Sequence, residues 1–184
     1  RPVFSFPFSL SFSFAFSFSF TFSFTFCVGT DVVVLEQGRL SSGTTWHAAG
    51  LVGQLRAHEG MTQLIRYSTQ LYASLEAETG LGTGWKQCGS ITVARTEERM
   101  IQLRRTVSMA QAYGVEAEVI TAQRAQELWP VMQVNDVLGA VWLPGDGKAN
   151  PTDLTQALAK GARQHQAKLL EGVQVQQVLV EGAR

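Results

Sequence analysis

The sequence predicts an α/β fold with at least one parallel sheet. From Thr30 onward, runs rich in β-branched residues alternate with helical patterns, as is typical of α/β proteins. The first run, residues 31–36, is a short β-branched run that ends in glutamate, and it predicts a strand buried on both faces, as in parallel sheets. The chain has 184 residues, which is enough for one domain with a hydrophobic core.

Periodicity and capping residues place the remaining elements. A helix is predicted over residues 61–78, because apolar side chains recur at spacings of three and four before Gly80. Three more helices are predicted to begin at the caps Thr96 and Thr121 and at Pro151 or Thr152, and to end near Tyr113, Trp129 and His165. The later strands are predicted at residues 90–94, 115–120, 137–143, 168–170 and 173–180. Residues 37–53 predict a loop that leads into a helix start.

The first 28 residues differ from the rest, because all eleven phenylalanines lie between Phe4 and Phe26 and alternate mostly with serine. Such a segment fits neither a signal peptide nor a membrane-spanning helix. Phe, Ser, Leu and Pro can all be encoded by pyrimidine-only codons, and a pyrimidine tract precedes a splice acceptor. We therefore predict that this low-complexity segment, residues 1–28, is a translated intron in a eukaryotic gene, and that residues 29–184 are a partial domain. The alternative is a genuine phenylalanine-rich arm.

Charge and cysteine content exclude several classes of partner. Fifteen basic residues balance fifteen acidic ones, which argues against a nucleic-acid partner. Cys27 and Cys88 are far apart and lack metal-ligand spacing, so we interpret them as ordinary thiols.

Two segments could carry chemistry. An acid that ends a strand, as Glu36 does, can accept hydrogen bonds from a dinucleotide ribose, although many strands end in a solvated glutamate and no G-x-G-x-x-G motif occurs in the sequence. The hydroxyl- and glycine-rich stretch 41–51 could receive a phosphate or a flavin ring, with His47 as its candidate functional residue. A lone histidine is more often structural. His58 and His165 are assigned no role.

Other polar and aromatic residues are interpreted structurally. Turn chemistry explains Asp146 within residues 144–151 better than catalysis does. The four tryptophans are predicted to be core or packing residues rather than a cofactor cage; they are Trp46, Trp85, Trp129 and Trp142.

From about Thr30 to Arg184 the sequence resembles the FAD-binding oxidoreductase domain of sarcosine and dimethylglycine dehydrogenases. The stretches that carry the resemblance are residues 31–40, 42–51, 75–80 and 143–147, of which Trp-His-Ala-Ala-Gly-Leu at 46–51 is the most specific. The resemblance implies part of a D-amino-acid-oxidase-like fold. It would comprise a partial FAD-binding, Rossmann-like domain of the glutathione-reductase type and the start of an antiparallel substrate-domain sheet.

The resemblance also implies roles for particular residues. His47 would carry FAD covalently through a ring nitrogen, Glu36 would hold the adenosine ribose, and the backbone of Val175 would lie against the adenine. The residues that would complete the cofactor contacts are Gln37, Gly43, Thr44, Thr45, Trp46, Ala48, Ala49, Gly50 and Leu51.

The family oxidises an N-methyl amine by hydride transfer to flavin. Tetrahydrofolate would bind only the full-length protein, electron-transfer flavoprotein would be the partner, and the location would be the mitochondrial matrix, with no membrane association. Sarcosine is favoured over dimethylglycine because residues 41–45 and 54–56 look more like the former. An alternative is a non-catalytic protein such as the regulatory subunit of pyruvate dehydrogenase phosphatase, which shares the run 35–40 but lacks the Trp-His pair.

Departures from the family matter equally. The glycine-rich pyrophosphate turn is replaced by the Phe-Ser stretch, and the family's later substrate-binding and folate-binding segments are missing. We therefore expect the chain as written to bind FAD poorly and to have no turnover.

Overall fold

The computed structural model describes residues 32–177. Its helices are Glu59–Thr79 (α1), Glu97–Ala112 (α2), Ala122–Leu128 (α3) and Pro151–Gln164 (α4). Its strands are Val33–Glu36 (β1), Leu51–Val52 (β2), Ser90–Ala94 (β3), Glu118–Ile120 (β4), Gly139–Leu143 (β5), Gly147–Lys148 (β6) and Lys168–Glu171 (β7). The strands form three small sheets, ordered β1-β7, β2-β6 and β3-β5-β4.

The parallel pair β1–β7 confirms the predicted parallel sheet. Its register runs from Val33 opposite Lys168 to Glu36 opposite Glu171. The prediction that β1 is buried on both faces is wrong for the described residues: Leu35 is 46% exposed. Among residues 32–177, β1 is an edge strand with β7 as its one strand neighbour, and α4 packs against β7.

The antiparallel sheet β3-β5-β4 has β5 at its centre, in register with Ser90–Ala94 on one side and Glu118–Ile120 on the other. Helix α2 packs on one part of the sheet and α3 on another. The buried residues under α2 are Ala94, Met100, Leu103, Ala110, Val115, Val141 and Leu143. Those under α3 are Ile120, Ala125 and Ala140.

A second core lies between α1 and α4. Tyr72 and Leu75 of α1 are buried against Leu154, Ala157 and Leu158 of α4. This packing explains why the apolar stripe of α1 covers only one side of the helix, with Thr62, Ser68, Thr69 and Thr79 completing its buried face. The α1–α4 pair supports the loop that carries the candidate site, because α4 also contacts the turn Thr45–His47 and β7.

Capping residues set the helix bounds largely as predicted. The Thr96 and Thr121 hydroxyls accept hydrogen bonds from the backbone N–H groups of Arg99 (3.2 Å) and Arg124 (3.1 Å). Gly80 ends α1 in a left-handed conformation with φ of 67°. Helix α4 begins at Pro151, as predicted; its cap is Asn150, whose Oδ1 accepts hydrogen bonds from the N–H groups of Thr152 and Asp153.

Two sequence predictions need correction. Residues 37–53 contain a 3-10 turn, Thr45–His47, and the strand β2, and the next helix starts only at Glu59. Residues 173–177 are not a strand, and 178–184 lie outside the described residues. The predictions for residues 1–28 also lie outside them. In the described part of the chain, no helix is long and apolar enough to cross a membrane.

Candidate cofactor site

The site is built around the carboxyl edge of the parallel pair, where Glu36 and Glu171 are register partners. The Oε1 atom of Glu36 accepts a hydrogen bond of 2.7 Å from the N–H of Gly38. The Oε1 atom of Glu171 accepts one of 2.6 Å from the N–H of Leu40, 131 residues away in sequence. Both acids therefore bind the backbone of the loop that follows β1, and the carboxyl ends of parallel strands are where open α/β sheets bind ligands.

Backbone hydrogen bonds join the same two segments. The N–H of Gly172 donates to the carbonyl of Gly38 (3.0 Å), and the N–H of Val173 donates to that of Glu36 (2.9 Å). The loop after β1 and the chain after β7 thus form one continuous edge. Within residues 32–177, Oε2 of Glu36 makes no hydrogen bond, which leaves one carboxylate oxygen free to accept from a ligand hydroxyl.

The 3-10 turn presents His47 to solvent. The N–H groups of His47 and Ala48 donate to the carbonyls of Thr44 (3.2 Å) and Thr45 (3.1 Å), which fixes the backbone. The centroids of the Trp46 and His47 rings are 3.8 Å apart, with an interplanar angle of 33°. Trp46 is 62% exposed and packs on His47, and Trp129 is 59% exposed, so neither of them is a core residue.

The other two tryptophans do pack against neighbours. The Trp85 ring meets that of Tyr72 edge-on, with centroids 6.1 Å apart. Trp142 lies over Gly89, where a Cβ atom would be only 1.8 Å from the indole. The difference between the two pairs of tryptophans follows from position: Trp142 lies in the central strand β5, whereas Trp129 caps the end of α3.

Gly50 anchors the predicted cofactor stretch to the rest of the fold. Its φ is 76°, and a Cβ atom there would lie 2.2 Å from the carbonyl oxygen of Ala149. The carbonyl of Gly50 accepts from the N–H of Ala149 (2.9 Å), and β2 then pairs with β6. Gly43 differs, because a Cβ atom there would meet nothing within 4 Å. Gly50 therefore approaches the protein's own backbone closely, whereas Gly43 borders open space.

Asp146 does more than turn the chain. Its Oδ1 accepts 2.7 Å from the N–H of Gln54, and its Oδ2 accepts 2.5 Å from the hydroxyl of Ser90. Its carbonyl accepts from the N–H of Gly89 (2.8 Å), and its side chain is buried, with 6% exposure. The sequence interpretation as a turn residue was incomplete, since the carboxylate of Asp146 joins the segment just after β2 to the start of β3.

Most of the predicted site residues are exposed rather than enclosed in a pocket. Leu51 is 79% exposed and Val175 is 55% exposed, two residues beyond the contact of Val173 with Glu36. The residues that are exposed within the predicted set also include Gln37, Gly43, Thr44, Trp46, His47 and Ala49, and those partly buried are Glu36, Thr45, Ala48 and Gly50. Val175 was predicted to lie in a strand, but it lies in an irregular segment after β7.

These features fit an extended cofactor. A free carboxylate oxygen on Glu36, open space at Gly43 and an exposed imidazole at His47 occur in this order along the chain. A cleft of about 140 Å³ has an uncharged lining that includes none of these three residues; it is lined by Gln54, Thr69, Gln70, Ala73, Trp85 and Gln87. No group of three or more metal-ligating side chains occurs among the described residues.

Comparison with known proteins decides the family. The chain matches the family described as FAD dependent oxidoreductase over residues 27–184, which is most of its length. It belongs to that family. The expected resemblance to sarcosine and dimethylglycine dehydrogenases is confirmed.

Curated relatives cover most of this chain. It is 42% identical over 152 residues to 4-methylaminobutanoate oxidase (formaldehyde-forming) from Paenarthrobacter nicotinovorans, covering 83% of this chain and 18% of that protein. It is 38% identical over 144 residues to mitochondrial sarcosine dehydrogenase from Homo sapiens, covering 78% and 16%. The chain therefore spans less than a fifth of the length of these relatives.

Solved structures agree on the fold. L-proline dehydrogenase from P. horikoshii is similar with a TM-score of 0.77 and 30% identity, over 83% of this chain and 40% of that one. Glycine oxidase from Bacillus cereus is similar with a TM-score of 0.70 and 27% identity, over 83% and 42%. The chain thus has the mixed α/β fold of FAD-dependent oxidoreductases.

Proposed function

We propose that this chain is part of an enzyme that oxidises an N-methyl amino acid by hydride transfer to FAD linked covalently to His47. The observation that carries the proposal is the exposed His47 on its fixed turn, in a chain of this family. The names of the relatives, which include sarcosine dehydrogenase and a methylaminobutanoate oxidase, point to an N-methyl substrate. Sarcosine is the substrate that we favour.

Different residues would bind different parts of the cofactor. Glu36 would accept from the adenosine ribose through its free oxygen, and the stretch 43–51 would line the cofactor. His47 would hold the flavin covalently through a ring nitrogen. The flavin supplies the redox chemistry, and the protein binds and orients it.

The two kinds of sheet correspond to two parts of the proposed fold. The parallel pair β1–β7 would belong to a Rossmann-like, glutathione-reductase-type sheet that binds the adenosine half of FAD. The antiparallel sheet β3-β5-β4 would be the start of the substrate-domain sheet. On this proposal, residues 29–184 are one partial oxidoreductase domain, preceded by the low-complexity segment 1–28.

We further propose that the 184-residue chain itself holds FAD weakly and does not turn over. A helix N-terminus reached through closely approaching glycines normally binds the diphosphate, and the sequence contains no G-x-G-x-x-G motif. In the full-length protein we expect tetrahydrofolate and electron-transfer flavoprotein as partners, in the mitochondrial matrix. The mitochondrial relatives support that location.

A second function is a non-catalytic regulatory role. The mitochondrial pyruvate dehydrogenase phosphatase regulatory subunit of Mus musculus is 36% identical over 151 residues, covering 82% of this chain and 17% of that protein. We rank it second because the exposed Trp46-His47 pair supplies a group for cofactor attachment.

The test of the proposed function begins with sequencing of the mature mRNA. Full-length cDNA across codons 1–40 is expected to replace the Phe-Ser stretch by a strand and a glycine-rich turn. The encoded protein, loaded with FAD and mixed anaerobically with sarcosine, is then expected to lose its oxidised-flavin absorbance. Absorbance that survives sarcosine, dimethylglycine and 4-methylaminobutanoate would favour the regulatory role.

A further inference from the structure

We infer that Trp46 is a positioning residue: its indole holds the imidazole of His47 in one orientation, ready for attachment. The functional meaning of this inference rests on the proposed function, in which His47 bears the flavin. The physical claim about the two rings stands on the geometry alone.

The ring pair is close and leaves His47 with little else to hold it. The centroids are 3.8 Å apart and the planes are tilted by 33°, so the faces of the two rings are in contact. Among residues 32–177, the imidazole donates and accepts no hydrogen bond, and Trp46 is its aromatic neighbour. The indole is therefore the group that selects the orientation of the imidazole.

The backbone below the rings is already fixed. The N–H groups of His47 and Ala48 are bonded to Thr44 and Thr45, and α4 packs against the turn. The remaining freedom of His47 is rotation about its side-chain bonds, which for an exposed residue would populate several staggered states. Stacking removes that freedom in the unbound protein rather than at the moment of attachment.

The stacked arrangement suits a nucleophile. The indole covers one face of the imidazole, whereas the lone pair of a ring nitrogen lies in the ring plane and points outward from its edge. Both nitrogens therefore remain accessible while the ring is held. This also accounts for an exposed tryptophan (62%) in a position that contributes little burial.

The measurement is NMR of the ligand-free 184-residue chain with labelled histidines. We expect the ring protons of His47 to be shifted upfield by the indole, and its side-chain couplings to report one dominant rotamer. Trp46→Leu is expected to abolish the upfield shift and to average the couplings, and Trp46→Phe to retain part of both. His47 signals that are the same in Trp46→Leu as in the wild type overturn the inference.

Two controls separate positioning from a general loss of structure. Trp129→Leu removes another tryptophan of similar exposure, 59%, and is expected to leave the His47 signals unchanged. The signals of His58, an exposed residue at the start of α1, are expected to be the same in all four proteins. A shift of the His58 signals in Trp46→Leu would show that the substitution acts through the fold, and would overturn the inference.

Flavin attachment distinguishes this inference from the proposed function. In the cDNA-encoded protein incubated with FAD, we expect the initial rate of covalent incorporation to fall several-fold in Trp46→Leu and to be largely restored in Trp46→Phe. Equal rates in the wild type and Trp46→Leu overturn the role of Trp46 while the proposed function stands. Absence of covalent flavin in all variants overturns the link to His47, while the ring geometry is still decided by NMR.

Discussion

The carboxylate of Asp146 accepts a 2.7 Å hydrogen bond from the backbone N–H of Gln54, which is 92 residues earlier in the chain. Its other oxygen binds the hydroxyl of Ser90. A single buried side chain thereby connects the end of the cofactor stretch, the antiparallel sheet and the turn before α4. This connection leads to the first of four structural predictions.

Removing the carboxylate of Asp146 should destabilise the protein. In Asp146→Ala the partly buried donors on Gln54 and Ser90 lose their acceptor, which should lower the free energy of unfolding by about 2–4 kcal/mol. Asp146→Asn keeps one oxygen and should cost less, about 1–2 kcal/mol. Urea denaturation measures both.

Asp136 offers the matched control for that experiment. It pairs with Arg95 on the surface, where the side chains are 56% and 70% exposed. Asp136→Ala should therefore cost less than about 1 kcal/mol. Equal losses for Asp136→Ala and Asp146→Ala would refute the proposed connection.

Gly50→Ala should destabilise the protein much more than Gly172→Ala. Both glycines have positive φ, 76° and 71°, so each substitution carries a conformational cost of about 1–2 kcal/mol. Only at Gly50 would the added Cβ meet backbone, the carbonyl of Ala149 at 2.2 Å; at Gly172 it meets nothing within 4 Å. In thermal or urea unfolding, the loss of stability in Gly50→Ala should exceed that in Gly172→Ala by at least about 2 kcal/mol. Similar stabilities would contradict the close packing of β2 on β6.

Glu171 should protect the loop after β1 from local opening. Its side chain is the acceptor for the Leu40 amide. Glu171→Ala should increase hydrogen exchange at that amide by about five- to tenfold, since a net bond of about 1–1.5 kcal/mol is lost. Glu171→Gln, which keeps an acceptor oxygen, should show a smaller increase. Glu116→Ala, an exposed glutamate before β4, is the control and should change nothing at Leu40.

Glu98 should make the free energy of unfolding depend on pH under acidic conditions. A hydrogen bond from its own backbone N–H, and then one with the hydroxyl of Thr96, lower its pKa below the ordinary value of 4.5. A depressed folded-state pKa adds stability above the unfolded-state pKa, and this is lost as pH falls through the folded-state pKa. The stability difference between wild type and Glu98→Gln should therefore be present at neutral pH and disappear in acid. A difference that is constant down to acidic pH would contradict this prediction.

Much of the fold could be predicted because its signals are local. Thr96 and Thr121 cap helices where the sequence places them, and β3 has the predicted bounds, Ser90–Ala94. The pairing of β2 with β6 could not be predicted, because two-residue strands carry no periodicity and the partner of Leu51, Lys148, is distant in sequence. The cap of α4 was missed at Asn150 because the adjacent proline gave the stronger signal.

The candidate site could likewise be predicted only in part from the sequence. Glu36 and His47 stand out locally, one at a strand end and the other in a glycine- and hydroxyl-rich stretch. Glu171 also ends a strand, and that position was the available signal for it, but its bond to Leu40 depends on register with β1. The role of Asp146 depends on Gln54 and Ser90, which are distant in sequence, so turn chemistry was the natural interpretation.

The most direct test of the central claim is flavin fluorescence on a denaturing gel. The cDNA-encoded protein is incubated with FAD as wild type, as His47→Ala and, for control, as His58→Ala. We predict a fluorescent band in the wild type and in His58→Ala, and none in His47→Ala. A band of equal intensity in His47→Ala would contradict the assignment of His47 as the attachment residue.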